Sequence, residues 1–261
     1  MMTRALTFPW VGVLVHVTLI LVLSRWCEVG KQTRRRIRIA FTSSVVTVIL
    51  SLLRLYRLGL DSSSFWPYLT HIPDGVTMLV IILQPLAILL SALKQMNLRL
   101  KHHRSSHFWY VTLAAPVLEE VEYRLLPEVV LRSAKVPFWS RTLSSSLAFG
   151  LVHVVVLRDR IMEQAREKGW IGLIACAIRE SIGLIMQTTI FGVYCALLLR
   201  ITESVWPVIA VHSLANLIGP PYTRDAEDWY LNGAGLCLGG AFFTLMCTRC
   251  GVTMGRLALL T

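Results

Sequence analysis

Charged residues are scarce in this chain. Asp, Glu, Lys and Arg make up 16% of its 261 residues, whereas soluble proteins contain about 25%. Hydrophobic residues make up 55%, and the mean hydropathy is +0.61. This composition excludes a soluble globular domain, a disordered chain and a secreted disulfide-rich scaffold. The apolar residues form continuous runs rather than alternating with polar ones, which favours membrane helices over a transmembrane barrel.

Glycosylation and zinc-binding signals are also missing. No Asn-x-Ser/Thr sequence occurs, so nothing marks a glycosylated lumenal loop. Cys247 and Cys250 have the spacing of half a zinc site, but no second cysteine pair or nearby histidine completes it. We therefore expect no metal at this cysteine pair, and we expect no cofactor.

Acidic residues are few as well, 15 against 26 Lys and Arg, which gives a net charge of +11. In a membrane protein this excess fits loops that lie beside anionic lipid headgroups. No basic groove with interleaved aromatic residues or zinc-finger spacing occurs, so we expect membrane lipid rather than nucleic acid as a partner.

Eight apolar runs are present, most of them close to the roughly 20 residues that cross a bilayer as a helix. They are residues 8–24, 39–55, 76–93, 108–131, 143–157, 170–199 (its spanning part near 181–199), 205–218 and 231–246. No small-residue cleavage site follows the first run, so we expect this helix to be retained.

The predicted fold is an all-α polytopic membrane protein of about eight transmembrane helices. We find no internal repeat and no linker, so residues 1–261 are expected to form a single integral membrane domain. Lys and Arg are more numerous in the loops after the first, third, fifth and seventh runs, which places those loops in the cytosol.

Ionisable residues inside apolar runs are costly and therefore point to function. The run 108–131 contains Glu119, Glu120 and Arg124. On a helix Glu120 and Arg124 are four residues apart and can pair, while Glu119 points about 100° away. One carboxylate can then be structural while the other remains available for chemistry. The alternative is a helix end at the membrane surface with several solvated carboxylates.

Two further motifs carry histidines. His153 follows Phe149 by one helical turn, and His212 precedes Asn216 by one turn on the same face. Each motif alone is typical of packing or of hydrogen bonds between helices. Together with a glutamate, they supply an acid–base pair and two hydrogen-bond donors, the groups needed to add water to an acyl carbon. We expect this active site to lie inside the helix bundle.

The order Glu-Glu-x-x-x-Arg, Phe-x-x-x-His and His-x-x-x-Asn resembles the CPBP (Abi) family of intramembrane proteases. The surrounding sequence, about residues 108–222, is similar to the eukaryotic branch, the type II CAAX prenyl endopeptidases of the endoplasmic reticulum. The resemblance implies a metal-independent glutamate protease with an active site open to the cytosol. Glu119 would be the general base with His153, and His212 and Asn216 would hold the oxyanion. Glu120, Arg124 and Phe149 would support the site.

The implied substrates are prenylated proteins ending in Cys-a-a-X, which would lose their last three residues. Three alternatives remain open. Glu119, His153 and His212 could bind zinc, although no His-Glu-x-x-His sequence occurs. The chain could also be an inactive membrane scaffold of the same fold. A transporter using the carboxylates as a proton relay is the third, and the lack of an inverted repeat argues against it.

Overall fold

A computed structural model describes residues 65–75, 106–153 and 184–218, together with short pieces and single residues at 9–18, 42–56 and 181–182. All regular structure in these parts is helical, and they contain no strand, in agreement with the predicted all-α class. The helices are α1 (Trp66–Thr70), α2 (Ser106–Trp109), α3 (Ala115–Glu120), α4 (Leu126–Ser133), α5 (Phe138–Val152), α6 (Leu184–Thr202) and α7 (Trp206–Ile218).

Two π-helical segments interrupt the first motif helix, at Tyr110–Ala114 and Val121–Leu125. Each precedes a proline in the first turn of the next α-helix, Pro116 in α3 and Pro127 in α4. A proline has no amide hydrogen, and its ring crowds the carbonyl four residues earlier. A wider turn with i→i+5 bonding accommodates that crowding, and such turns are frequent at functional sites.

The chain contacts divide into two units, with boundaries at Val121/Glu122 and Leu197/Leu198. In the first unit, α4 and α5 form a helical hairpin. Lys135 occupies the turn with φ of 56°, and the amide of Val136 donates to the carbonyl of Leu131 at 2.9 Å. Arg141 of α5 then makes two hydrogen bonds of 3.0 and 3.1 Å to the carboxylate of Glu128 in α4. This bidentate pair fixes the hairpin.

Helix α5 and the part of α6 that precedes Leu198, both in the first unit, approach closely where their side chains are small. A Cβ added to Gly150 would lie 2.3 Å from Thr189 Oγ1, and one added to Gly192 would lie 2.9 Å from Ser146 Cβ. Position 146 faces 192 and position 150 faces 189, so the two helices run antiparallel. Small residues four apart at such a contact are typical of helix pairs in membranes.

In the second unit, α7 packs against α3 and against the π-helical segment Tyr110–Ala114. The short helix α1 is attached to the start of α7. The amide of Val205 donates to the carbonyl of Tyr68 at 3.0 Å, and Trp206 Nε1 donates to the carbonyl of Leu69 at 2.7 Å. The position of the chain just before α7 is thereby fixed.

Within the described residues one helix, Leu184–Thr202, is long and apolar enough to cross a membrane, judged by length and composition. Ile182, Met186 and Ile190, four residues apart on one face, are each more than half exposed, as expected for side chains that face lipid. The predicted count of eight spans and the single domain of residues 1–261 remain predictions. The predicted spans 76–93 and 231–246, with Cys247 and Cys250, lie outside the described residues.

Candidate active site

Glu120, the most buried carboxylate of the Glu-Glu-x-x-x-Arg motif, is bonded to His212 of the His-x-x-x-Asn motif. Glu120 ends α3 and is fully buried, and His212 of α7 is 4% exposed. His212 Nδ1 lies 2.6 Å from Glu120 Oε1. A carboxylate accepts, so the proton of this short bond is on Nδ1. Glu120 therefore fixes the orientation and the tautomer of the His212 ring.

Glu119 contacts the other nitrogen of the same ring. Its Oε2 lies 3.6 Å from His212 Nε2, which is too long for a hydrogen bond but close enough for a charge interaction. The side chain of Glu119 is 22% exposed, whereas that of Glu120 is fully buried. The two carboxylates therefore differ in their surroundings, since Glu120 is fully buried and bonded to His212 whereas Glu119 is partly exposed.

Asn216 lies one turn beyond His212 on α7 and is partly buried. The spacing of four residues puts both side chains on one face of the helix, as the sequence predicted. Glu119, Glu120, His212 and Asn216 all belong to the second unit.

Arg124 and Phe149 form a second cluster in the first unit. Both are nearly inaccessible, and the guanidinium carbon of Arg124 lies 4.2 Å from the centre of the Phe149 ring. This distance is that of a cation–π contact. Arg124 Nη1 also donates to the carbonyl of Tyr123 at 3.1 Å. That carbonyl would normally accept the amide of residue 127, and Pro127 has none.

His153 ends α5 and is held by Phe149. Its Nδ1 lies 2.8 Å from the carbonyl oxygen of Phe149, and the two rings meet edge to face with centroids 4.4 Å apart. A carbonyl can only accept, so Nδ1 carries a proton. In the neutral ring the lone pair is then on Nε2, so Nε2 is the nitrogen that can take up a proton.

The structure therefore places the seven predicted site residues in two clusters, Glu119, Glu120, His212 and Asn216 in one unit and Arg124, Phe149 and His153 in the other. Sequence reasoning missed the bond from His212 to Glu120, since it assigned Glu120 to Arg124. It also missed Gly192, whose Cα faces Arg124. No local pattern could have revealed either contact, because each joins distant parts of the chain.

The part of the chain described here contains no group of three or more His, Cys, Asp or Glu side chains arranged to hold a metal ion. The predicted zinc alternative had combined Glu119 and His212 with His153.

These features define a helical protein in which two neighbouring glutamates contact one buried histidine. Residues 103–218 match the family model described as Type II CAAX prenyl endopeptidase Rce1-like. The matched family is the one that the motifs indicated, and all seven predicted site residues fall within the matched segment. This family comprises membrane-integral proteases of the CAAX type. Comparison with curated proteins gives no match, and comparison with solved structures gives none.

Proposed function

We propose that this protein is an intramembrane glutamate endopeptidase that removes the C-terminal tripeptide from prenylated CAAX proteins. The observation that carries the proposal is the contact of both motif glutamates with His212, within a segment that matches the CAAX endopeptidase family. A carboxylate and an imidazole in an apolar setting are suited to activating water, because weak screening strengthens their interactions.

Glu119 is the general base in this mechanism. Glu120 is fully buried and already accepts a bond from His212, so it has little access to water. Glu119 is partly exposed and makes no short bond to the same ring. Glu119 removes a proton from a water molecule as the water oxygen attacks the scissile carbonyl carbon. The carbonyl electron pair moves to oxygen and forms the tetrahedral oxyanion.

His212 and Asn216 hold this oxyanion. The bond from Nδ1 to Glu120 leaves Nε2 as the nitrogen that faces the reacting groups. With a proton also on Nε2, the ring is a cation and can donate to the oxyanion. The side-chain amide of Asn216, one turn away on the same face, supplies the second donor.

His153 assists in proton transfer. Its Nδ1–H is engaged by the carbonyl of Phe149, which leaves Nε2 to accept a proton. On collapse of the tetrahedral intermediate, the C–N bond breaks and the departing amine must receive a proton. The proton taken from water by Glu119 reaches that amine, directly or through His153.

The substrate class and location follow from the same assignment. A prenyl chain is apolar and can enter between helices from the bilayer, and the adjacent peptide lies near the membrane surface. Prenylation takes place in the cytosol, so the active site is open to the cytosolic side of the endoplasmic reticulum membrane. Basic loops on that side attract polybasic segments upstream of the lipidated cysteine.

The test is expression in a host that lacks its own CAAX endopeptidases, with a prenylated reporter whose C-terminus is read by mass spectrometry. The wild-type chain should remove three residues, and Glu119→Ala, present in the membrane at equal amount, should leave the reporter intact. A reporter left uncut by the folded wild-type protein would contradict the proposal and favour the inactive scaffold. Cleavage that chelation abolishes and zinc restores would favour the zinc protease.

A further inference from the structure

Gly192 lies at the contact of α6 with α5, and it also faces the first-motif arginine. A Cβ built on Gly192 would lie 2.9 Å from Ser146 Cβ, 3.1 Å from Ser146 Cα and 3.0 Å from Arg124 Nη2. The distance to Ser146 Cβ is shorter than relaxed atoms adopt, and the other two are tight, so a methyl group there would have to shift α5 and press on the guanidinium.

Gly150 belongs to the same helix contact but has different neighbours. A Cβ at Gly150 would lie 2.3 Å from Thr189 Oγ1 and 3.0 Å from the carbonyl oxygen of Ile185. The Thr189 hydroxyl can rotate away, but the Ile185 carbonyl cannot, just as Ser146 Cα and Cβ cannot move away from Gly192 by side-chain rotation. Both glycines therefore allow the helices to approach, but of the two it is Gly192 whose added Cβ would meet Arg124.

Arg124 connects Gly192 to the second-motif histidine through Phe149. The guanidinium lies against the face of the Phe149 ring, with 4.2 Å from its carbon to the ring centre. The Phe149 ring in turn meets the His153 ring at 4.4 Å, and the Phe149 carbonyl accepts from His153 Nδ1. Arg124, Phe149 and His153 thus contact one another in series, an arrangement that we call the stack. Gly192 lies beside Arg124 at one end of it.

We propose that Gly192 is a positioning residue, whose missing side chain leaves the space in which Arg124 stacks on Phe149 and so orients His153. The inference rests on the proposed function, because it assigns the stack to the catalytic use of His153. A methyl group at position 192 shifts the guanidinium by a few tenths of an ångström from its place over the Phe149 ring. The contact on that face of the ring is then weaker, and the ring holds His153 less firmly.

The experiment compares Gly192→Ala with Gly150→Ala in purified, reconstituted protein, using a prenylated CAAX peptide and a thermal melt of each variant. We expect Gly192→Ala to lower kcat about 10- to 100-fold with KM little changed, since small displacements of catalytic groups have costs of this size. Gly150→Ala should also lower the melting temperature, because it obstructs the same helix contact, while its kcat stays near that of the wild type. If Gly192 had only a structural role, the variant with the larger loss of melting temperature would also have the larger loss of kcat.

A double variant separates helix packing from arginine displacement. Ser146→Gly removes the Cβ that lies nearest to an alanine at position 192, but leaves Arg124 Nη2 where it is. We expect Ser146→Gly combined with Gly192→Ala to recover thermal stability and to keep the low kcat. This variant also carries the test if Gly192→Ala alone accumulates poorly.

Recovery of kcat in the double variant, or a kcat of Gly192→Ala no lower than that of Gly150→Ala, would overturn the inference. These outcomes are distinct from failure of the proposed function. If the wild-type protein itself releases no tripeptide, the function is wrong. If it does and the two glycine variants behave alike, the function stands and the role of Gly192 is wrong.

Discussion

Replacing Glu120 by glutamine exchanges one buried carboxylate oxygen for an NH₂ group, and the consequences can be worked out from the structure. The carboxylate is fully buried, and its Oε1 accepts from His212 Nδ1 at 2.6 Å. In Glu120→Gln the amide oxygen can still accept from the ring, but the negative charge is lost. The buried NH₂ group, which cannot accept a bond, replaces a carboxylate oxygen.

The size of the effect follows from the type of bond. Hydrogen bonds to charged groups contribute about 1.5–3 kcal/mol, and breaking a buried charged pair costs about 3–5 kcal/mol. Because glutamine retains an acceptor, we expect the lower of these ranges, a loss of about 1.5–3 kcal/mol in the free energy of unfolding. Activity should fall as well, because without the Glu120 charge the doubly protonated His212 ring is less stabilised and is less available to donate to the oxyanion.

Glu119→Gln is the matched control, since it makes the same chemical change at the neighbouring position. The Glu119 carboxylate is 22% exposed and lies 3.6 Å from His212 Nε2, so its loss should cost little stability. As the general base, however, its loss should lower kcat about 10²–10⁴-fold. Thermal melts and kcat of the two reconstituted variants, measured side by side, give the comparison.

The expected pattern is a stability loss for Glu120→Gln with little for Glu119→Gln, and loss of activity in both. Equal melting temperatures for the two variants would refute the division of roles between the carboxylates. A stable, fully active Glu120→Gln would show that the bond to His212 has no part in catalysis.

Four other results are expected. Asn216→Ala should lower kcat about 10²–10³-fold with KM little changed, as for loss of an oxyanion donor; a raised KM with normal kcat would make Asn216 a substrate-binding residue instead. His153→Ala should nearly abolish tripeptide release in a folded protein, and near-normal turnover would remove it from the mechanism. Arg141→Gln, which breaks the bidentate contact with Glu128, should cost about 1–3 kcal/mol in a thermal melt with unchanged kcat; an unchanged melting temperature would contradict this. Activity should survive thorough chelation, whereas loss reversed by zinc would indicate a metalloprotease.

The helical class could be predicted because it depends on local composition. Long apolar runs predict helices, and the predicted run 205–218 agrees within one residue with α7, Trp206–Ile218. The π-helical segments were not predicted, although Pro116 and Pro127 were visible in the sequence. A proline indicates a local break, but whether the chain responds with a kink, an end or a wider turn depends on the packing around it.

The site could be predicted in part for the same reason. Spacing alone puts His212 and Asn216 on one face of a helix. The pairing of Glu120 could not be decided, because Arg124 is its neighbour by spacing, whereas His212 lies 92 residues away. Nothing in the sequence pointed to Gly192, because the effect of a missing side chain depends on which atoms lie beside it in the fold.

The central claim is that Glu119 activates water for cleavage of a prenylated CAAX peptide. The most direct measurement is tripeptide release by mass spectrometry from a synthetic farnesylated peptide, with purified wild-type protein and Glu119→Gln compared in the same vesicles after chelation. We predict release of the intact tripeptide by the wild type and a rate at least about 10²-fold lower for Glu119→Gln, with both proteins melting at similar temperatures. Comparable release by a folded Glu119→Gln would contradict it.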